Sequence, residues 1–265
     1  MKNATTVMRP GKGVKRIIQL YACGGAGGEL ARKVEALLSG QPGIAVRYLD
    51  TDRPADLPST RFFAVEPHHL PDDPDDRLSQ MLKDLGLSVD AYRTYRRQTG
   101  KGGTAQLPQL SHLATLWKFS DLVRACEEDF GLLASSVGGA SETILATVAS
   151  GAGGTGAAAV RNAGLASRAV YPTESHAWHH YFLSTTLLPA DRVNRRQRAL
   201  EHRQLAELSG LMKPGIAMRV PGRQAPILCP GPDTIYLLAS SPAAPRTLDD
   251  VAHELSVTFR NLVTN

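Results

Sequence analysis

The first apolar run of the chain, Arg16-Ile17-Ile18-Gln19-Leu20-Tyr21-Ala22, has the length of a strand and leads directly into Cys23-Gly24-Gly25-Ala26-Gly27-Gly28. The period then changes. Over Glu29–Leu38 the residues Leu30, Val34, Leu37 and Leu38 recur at helical spacing, and Ser39-Gly40-Gln41-Pro42-Gly43 supplies breakers that stop the helix. Ile44–Leu49 reads as a second strand, ending at Asp50-Thr51-Asp52. Strand, glycine turn, helix and strand in close succession form the βαβ unit of a parallel sheet.

Further along, Arg61–Val65 reads as a short strand inside a proline-rich, acidic stretch over 53–99 that has the pattern of a surface excursion. A second glycine turn, Thr99-Gly100-Lys101-Gly102-Gly103-Thr104, precedes a helical stretch through His112, Leu116, Phe119, Leu122 and Val123. Of the apolar runs Gly131–Ala134 and Thr143–Val148, at least one should be a core strand. A third small-residue turn, Ser150-Gly151-Ala152-Gly153-Gly154-Thr155-Gly156-Ala157, opens another helix. Ala169-Val170-Tyr171 reads as a strand and Val193–Leu208 as a charged helix. Thr234–Leu238 reads as a strand, and Leu248–Val263 as a helix with Val251, Leu255, Phe259 and Leu262 on one face. The pattern predicts an α/β protein with a doubly wound, mainly parallel sheet and helices on both faces, in one domain over 16–265 after a flexible segment at 1–15.

Composition narrows the function classes. At 42% hydrophobic and 21% charged the chain can build a packed core, and no run of membrane-spanning length or signal-peptide character occurs, so a cytoplasmic protein without membrane insertion is expected. Cys23, Cys126 and Cys229 are an odd number without CxxC spacing, which argues against a disulfide framework or a structural zinc site. Thirty basic against 25 acidic residues leave a formal charge of +5, a small excess for direct nucleic-acid binding. The basic runs Arg93, Arg96, Arg97, Lys101 and Arg192, Arg195, Arg196, Arg198, and the acidic run Asp72, Asp73, Asp75, Asp76, read as solvated faces.

The three glycine turns carry the candidate chemistry. Glycines let backbone approach phosphate oxygens, and the N–H groups at a helix start add donors and the positive end of the helix dipole. The better-known phosphate loops do not fit. Counting from Gly25, the last glycine of GxGxxG falls on Leu30, and no GxxxxGK[ST] occurs. Asp50 or Asp52 could nonetheless hold ribose hydroxyls, which keeps a Rossmann-type NAD enzyme as the alternative. His176, His179 and His180 beside Trp178 and Glu174 include an i, i+4 pair of helical spacing, but without HExxH no metal site is expected.

In order along the chain these residues resemble the GTP-binding domain of the tubulin/FtsZ superfamily. Gly24-Gly25-Ala26-Gly27-Gly28 resembles the first nucleotide loop. Asp50-Thr51-Asp52 resembles the Asn-Thr-Asp turn after the second strand, with Asp50 in place of asparagine. Gly100-Lys101-Gly102-Gly103 resembles the loop near the terminal phosphate, and Ala152-Gly153-Gly154-Thr155-Gly156-Ala157 resembles the signature Gly-Gly-Thr-Gly; Val137–Glu142 is an alternative signature loop. The loop holding Glu174 resembles the ribose-side loop. The resemblance implies GTP or GDP as ligand, with Mg2+ as accompanying ion, and self-association or a tubulin-like partner. It also implies GTPase activity if the catalytic parts are complete; the acidic loop that completes hydrolysis in that family, and its second domain, are not found here. A nucleotide-free interaction scaffold is the third reading.

Overall fold

The computed structural model describes residues 16–98, 108–138, 142–171, 176–211, 216–218, 227–229 and 231–264. At its centre, β1 (Arg16–Cys23) is buried along all but its first residue. That is why its sequence is a nearly continuous apolar run: a parallel strand covered on both faces has no solvent side to mark by alternation. β1 pairs in parallel with β2 (Ile44–Asp50) on one side and with β4 (Glu142–Ser150) on the other. β3 (Phe62–Ala64), β5 (His176–Leu183) and β8 (Thr234–Leu238) complete an all-parallel sheet of order β3-β2-β1-β4-β5-β8. A separate antiparallel ribbon joins β6 (Ile216–Met218) to β7 (Ile227–Cys229).

The chain winds in opposite directions from the middle of this sheet. α1 (Gly24–Leu37) carries it from β1 to β2, and α6 (Gly154–Val170) carries it from β4 to β5. Right-handed crossovers in opposite directions place these helices on opposite faces and open a crevice between the carboxyl ends of β1 and β4. On one face α1 and α8 (Leu248–Thr264) bury Leu30, Val34, Val251, Leu255 and Phe259 against Ile18, Leu20 and Val46. The other face packs α6 and five further helices: α2 (Asp76–Asp84), α3 (Val89–Gln98), α4 (Pro108–Trp117), α5 (Phe119–Ser136) and α7 (Arg195–Leu211). An Arg47–Asp129 pair ties β2 to α5 there, with Nε and Nη2 donating to the two carboxylate oxygens at 2.5 and 2.7 Å.

Several sequence expectations need correction. Residues 53–98 are no surface excursion: Leu78, Met81, Leu82 and Tyr92 of α2 and α3 enter the core. The aspartates that obscured them have local roles. Asp75 caps α2 by accepting from the Leu78 amide at 2.7 Å, while Asp72 and Asp73 pair with Arg96 and Arg93. The helical stretch through His112 is two helices broken at Lys118, and Gly131–Ala134 lies in α5, leaving Thr143–Val148 as the core strand. Ala169-Val170-Tyr171 is no strand but the end of α6, where the Tyr171 amide still donates to Ser167 O at 3.0 Å. The strand is His176–Leu183, so His176 and His180 are not a helical pair. Among the described residues no helix is long and apolar enough to cross a membrane.

Candidate functional site

The glycines after β1 are not a loop ahead of a helix; they are the first turn of α1, which begins at Gly24 rather than at Glu29. Gly24 holds a left-handed backbone (φ 72°), and a Cβ there would lie 2.8 Å from the Gly156 amide nitrogen. A Cβ on Gly156 would lie 2.8 Å from Cys23 O. The first turns of α1 and α6 therefore meet backbone to backbone at the crevice, a contact that side chains would prevent.

Neither helix start is capped by a side chain. Cys23 and Gly153 occupy the N-cap positions without a side-chain hydrogen bond, and no acidic residue stands in either first turn. α7, by contrast, is closed by a reciprocal pair in which the Gln197 amide donates to Asn194 Oδ1 at 2.9 Å and the Asn194 amide donates to Gln197 Oε1 at 2.8 Å. Each open start leaves backbone N–H donors without intrahelical partners and the positive end of the dipole facing the crevice. Two such starts side by side converge the kind of donors that an anion takes.

Beside it, on the β2 side, lies a cleft of about 260 Å³ lined by Gly24, Gly25, Gly28, Tyr48, Asp50 and Asp52, with Glu29 and Arg32 at its wall. A Cβ on Gly25 would sit 3.9 Å from Asp50 Oδ2, and one on Gly28 3.7 Å from the Tyr48 ring, so both glycines leave the cleft open. Asp50 is the last residue of β2; its Oδ1 accepts from the Thr51 amide at 2.8 Å, and Thr51 Oγ1 reaches Asp52 Oδ2 at 3.3 Å. Burial raises the Asp50 carboxyl above the usual aspartate range; the Thr51 amide opposes this and Asp52 adds to it. Arg32 is paired with Asp56 at 3.3 Å, so the wall of the cleft is acidic. Burial also pushes the Cys23 thiol well up, with Asp50 adding to the shift, so Cys23 is a small packed residue and not a nucleophile.

The turn after β4 comprises Gly151, Ala152 and Gly153, with Gly154, Thr155, Gly156 and Ala157 already helical. A Cβ on Gly151 would meet Phe182 Cζ at 2.7 Å and Glu201 Cα at 3.0 Å, because α7 crosses close over this turn. Around Gly153 the space is open. Of Val137–Glu142, the alternative signature segment, Gly139, Ala140 and Ser141 lie outside the described residues; Val137 and Gly138 follow α5, and Glu142 opens β4 at the amino edge of the sheet. Gly100, Lys101, Gly102 and Gly103 lie outside the described residues, and the segment that holds them joins two helices, α3 and α4, instead of following a strand. Glu174 is also outside the described residues. In sequence it falls between α6 and β5.

With β5 placed correctly, the carboxyl-edge residues that follow it are Ser184, Thr185 and Thr186, which the sequence reading missed. Thr185 Oγ1 donates to Glu201, and the Ser240 amide donates to Thr186 Oγ1 at 3.0 Å, which joins the segments after β5 and β8. A strand signal at 176–183 would have pointed to them, but its three histidines and tryptophan hid it.

No protein-family model and no curated protein matches the sequence. Solved structures with a similar fold include phage TubZ, a tubulin/FtsZ-like protein. The crystal structure of Clostridium botulinum phage c-st TubZ gives a TM-score of 0.49 at 13% identity, over 93% of this chain and 58% of that one. A form of the same protein with its C-terminal tail truncated gives 0.48 at 15% identity, over 92% and 59%. The chain thus spans less than three-fifths of the length of these neighbours.

Proposed function

We propose that this chain binds a guanine nucleotide, GTP or GDP, with its phosphates on the paired starts of α1 and α6. The observation that carries the proposal is the uncapped, backbone-to-backbone meeting of those starts at the crevice where the sheet reverses direction. The choice of guanine rests on the resemblance of the glycine turns to the tubulin/FtsZ superfamily. Self-association through the nucleotide face belongs to the same proposal.

The donor set suits an accompanying Mg2+. That ion is bound through one or two carboxylates together with phosphate oxygens, not by an all-protein cage. Asp50 and Asp52 supply that number of carboxylates, and among the described residues no cluster of three or more metal-ligating side chains occurs. Mg2+ would neutralise phosphate charge beside the acidic wall. The chain's own contribution is to orient: the α1 and α6 amides hold the phosphates, and the Thr51 amide fixes the Asp50 carboxylate.

A second reading is favoured by one observation. A carboxylate at the end of β2, beside a glycine turn after β1, is where a dinucleotide fold holds ribose hydroxyls, and Asp50 lines the cleft there. Calorimetric titration with GTP, GDP, ATP and NAD separates the two, with Gly153→Val and Gly25→Leu as variants that fill open space on the ligand side. Selective guanine-nucleotide binding, lost in both variants, is expected. NAD binding in its place would install the second reading, and no binding by any of the four would leave a scaffold.

A further inference from the structure

Ion pairing redistributes the modest charge excess of the chain. Of its two basic runs, the one on α3 is largely neutralised, because Arg93 and Arg96 pair with Asp73 and Asp72 at 2.9 and 2.6 Å. The run on α7 is not. Arg195, Arg196, Arg198 and Arg203 are all exposed, and among the described residues none has a carboxylate within ion-pair distance. The two glutamates of α7 are engaged elsewhere: Glu201 accepts from the amide and hydroxyl of Thr185, and Glu207 pairs with Arg161 of α6. The segments outside the described residues contain one acid, Glu174, so they hold no reserve of counter-charge.

Apart from the exposed imidazole of His202, the face that carries these arginines is built from small residues. Ala199, Ala206, Ser209 and Gly210 are exposed between and beyond them, while Gln204 and Leu208 point into the protein. At a rise of about 1.5 Å per residue, Arg195 to Arg203 span about 12 Å along a helix whose start the Asn194–Gln197 pair holds rigid. One strand of B-form duplex presents a phosphate about every 3.4 Å of axis, so four cations over that span match three to four phosphates.

We propose that the outer face of α7 is a docking surface for the phosphate backbone of double-stranded nucleic acid. A membrane-surface helix needs bulky apolar residues opposite its cations, and a peptide-docking face needs aromatic or aliphatic anchors; this face has neither. Cations on a rigid helix with small residues between them let a polyanion approach the helix closely, and such contacts position a duplex without reading its sequence.

The test is fluorescence anisotropy of a labelled, mixed-sequence duplex of about 20 base pairs, titrated with the full chain at several salt concentrations. Four phosphate contacts give a slope of log K against log salt of about −3.6, and each arginine removed reduces it by about 0.9. Arg195→Gln/Arg198→Gln/Arg203→Gln should therefore bind weakly with a slope near about −1, with unchanged circular dichroism. Arg93→Gln/Arg97→Gln on α3 should bind like the parent. The proposal is overturned if the parent fails to bind duplex at low salt or if the triple variant keeps the parent's slope. It is equally overturned if the α3 variant loses as much binding, or if a polyglutamate peptide binds in preference to the duplex.

Discussion

Gly27 and Gly28 are adjacent in the first turn of α1, yet replacing each with alanine should have opposite effects. A Cβ on Gly27 would fall within van der Waals contact of the Val148 carbonyl oxygen, 3.2 Å from Val148 C and 3.3 Å from Ala149 Cα. Those atoms belong to β4, a strand hydrogen-bonded on both sides, so it is α1 that must move. Overpacking of this kind costs about 1–3 kcal/mol, and the gain in helix propensity offsets at most about 1 kcal/mol of it. Gly27→Ala should therefore destabilise by about 1–2 kcal/mol. The Cβ of Gly28→Ala would meet only the Tyr48 ring, at an ordinary 3.7 Å, so the propensity term prevails and the variant should gain up to about 0.5–1 kcal/mol. Urea denaturation measures both. With m of about 2–3 kcal/mol/M, the two midpoints should differ by about 1 M at constant m. A Gly27→Ala protein as stable as the parent would refute the claim that this glycine is required by the approach of α1 to β4.

Two further outcomes follow from buried polar groups. Arg47→Met leaves the Asp129 carboxylate, 13% exposed, without its cation, and should cost about 3–5 kcal/mol by urea denaturation. Arg47→Met/Asp129→Leu should recover most of that loss, and a single variant costing under about 1 kcal/mol would contradict the pairing. Burial lowers the pKa of His112 and His176 to about 3 and of His180 to about 4, with Arg161 and Arg168 adding to the first two and the Thr147 carbonyl opposing the third. Because these folded-state values lie below the unfolded one, the unfolded chain binds more protons. The stabilisation is complete above about pH 6.5 and is lost as pH falls towards the folded values. Three such groups should remove about 4 kcal/mol between pH 7.5 and 5.5. A pH-stability profile showing uptake of fewer than one proton on unfolding in that interval would exclude neutral burial of the set.

The same histidines explain why one half of the sheet was legible in the sequence and the other was not. β1, α1 and β2 announce themselves through an apolar run, a glycine stop and helical spacing. β5 is nearly as buried as β1, but it meets its neighbour with polar side chains. Thr143 Oγ1 and His176 Nδ1 lie 2.8 Å apart, Thr147 Oγ1 and His180 Nδ1 lie 2.9 Å apart, and Trp178 Nε1 donates to Thr147 Oγ1 at 2.9 Å. The two threonine–histidine pairs follow the strand register, so His176 and His180 are satisfied across the sheet although their spacing suggests a helix. The far end of α6 is concealed for a related reason. Sandwiched between the sheet and α4 and α5, this helix is buried nearly all round and shows no polar face; at Gly164 even a methyl group would overlap the Trp178 ring.

A glycine-rich turn in a sequence also conceals two different roles that the structure separates. Gly24, Gly27 and Gly156 face protein backbone, and their lack of a side chain is what lets α1 approach β4 and the start of α6. Gly25, Gly28 and Gly153 face the cleft or open space, and their lack of a side chain leaves the ligand side clear. The first set alone would make a tightly packed βα corner, and the second alone would make an open turn without converging donors. The proposed nucleotide site requires both. It follows that substitutions in the first set should lower stability before affinity, whereas those in the second should lower affinity while stability holds, a division that no count of glycines along the chain can provide.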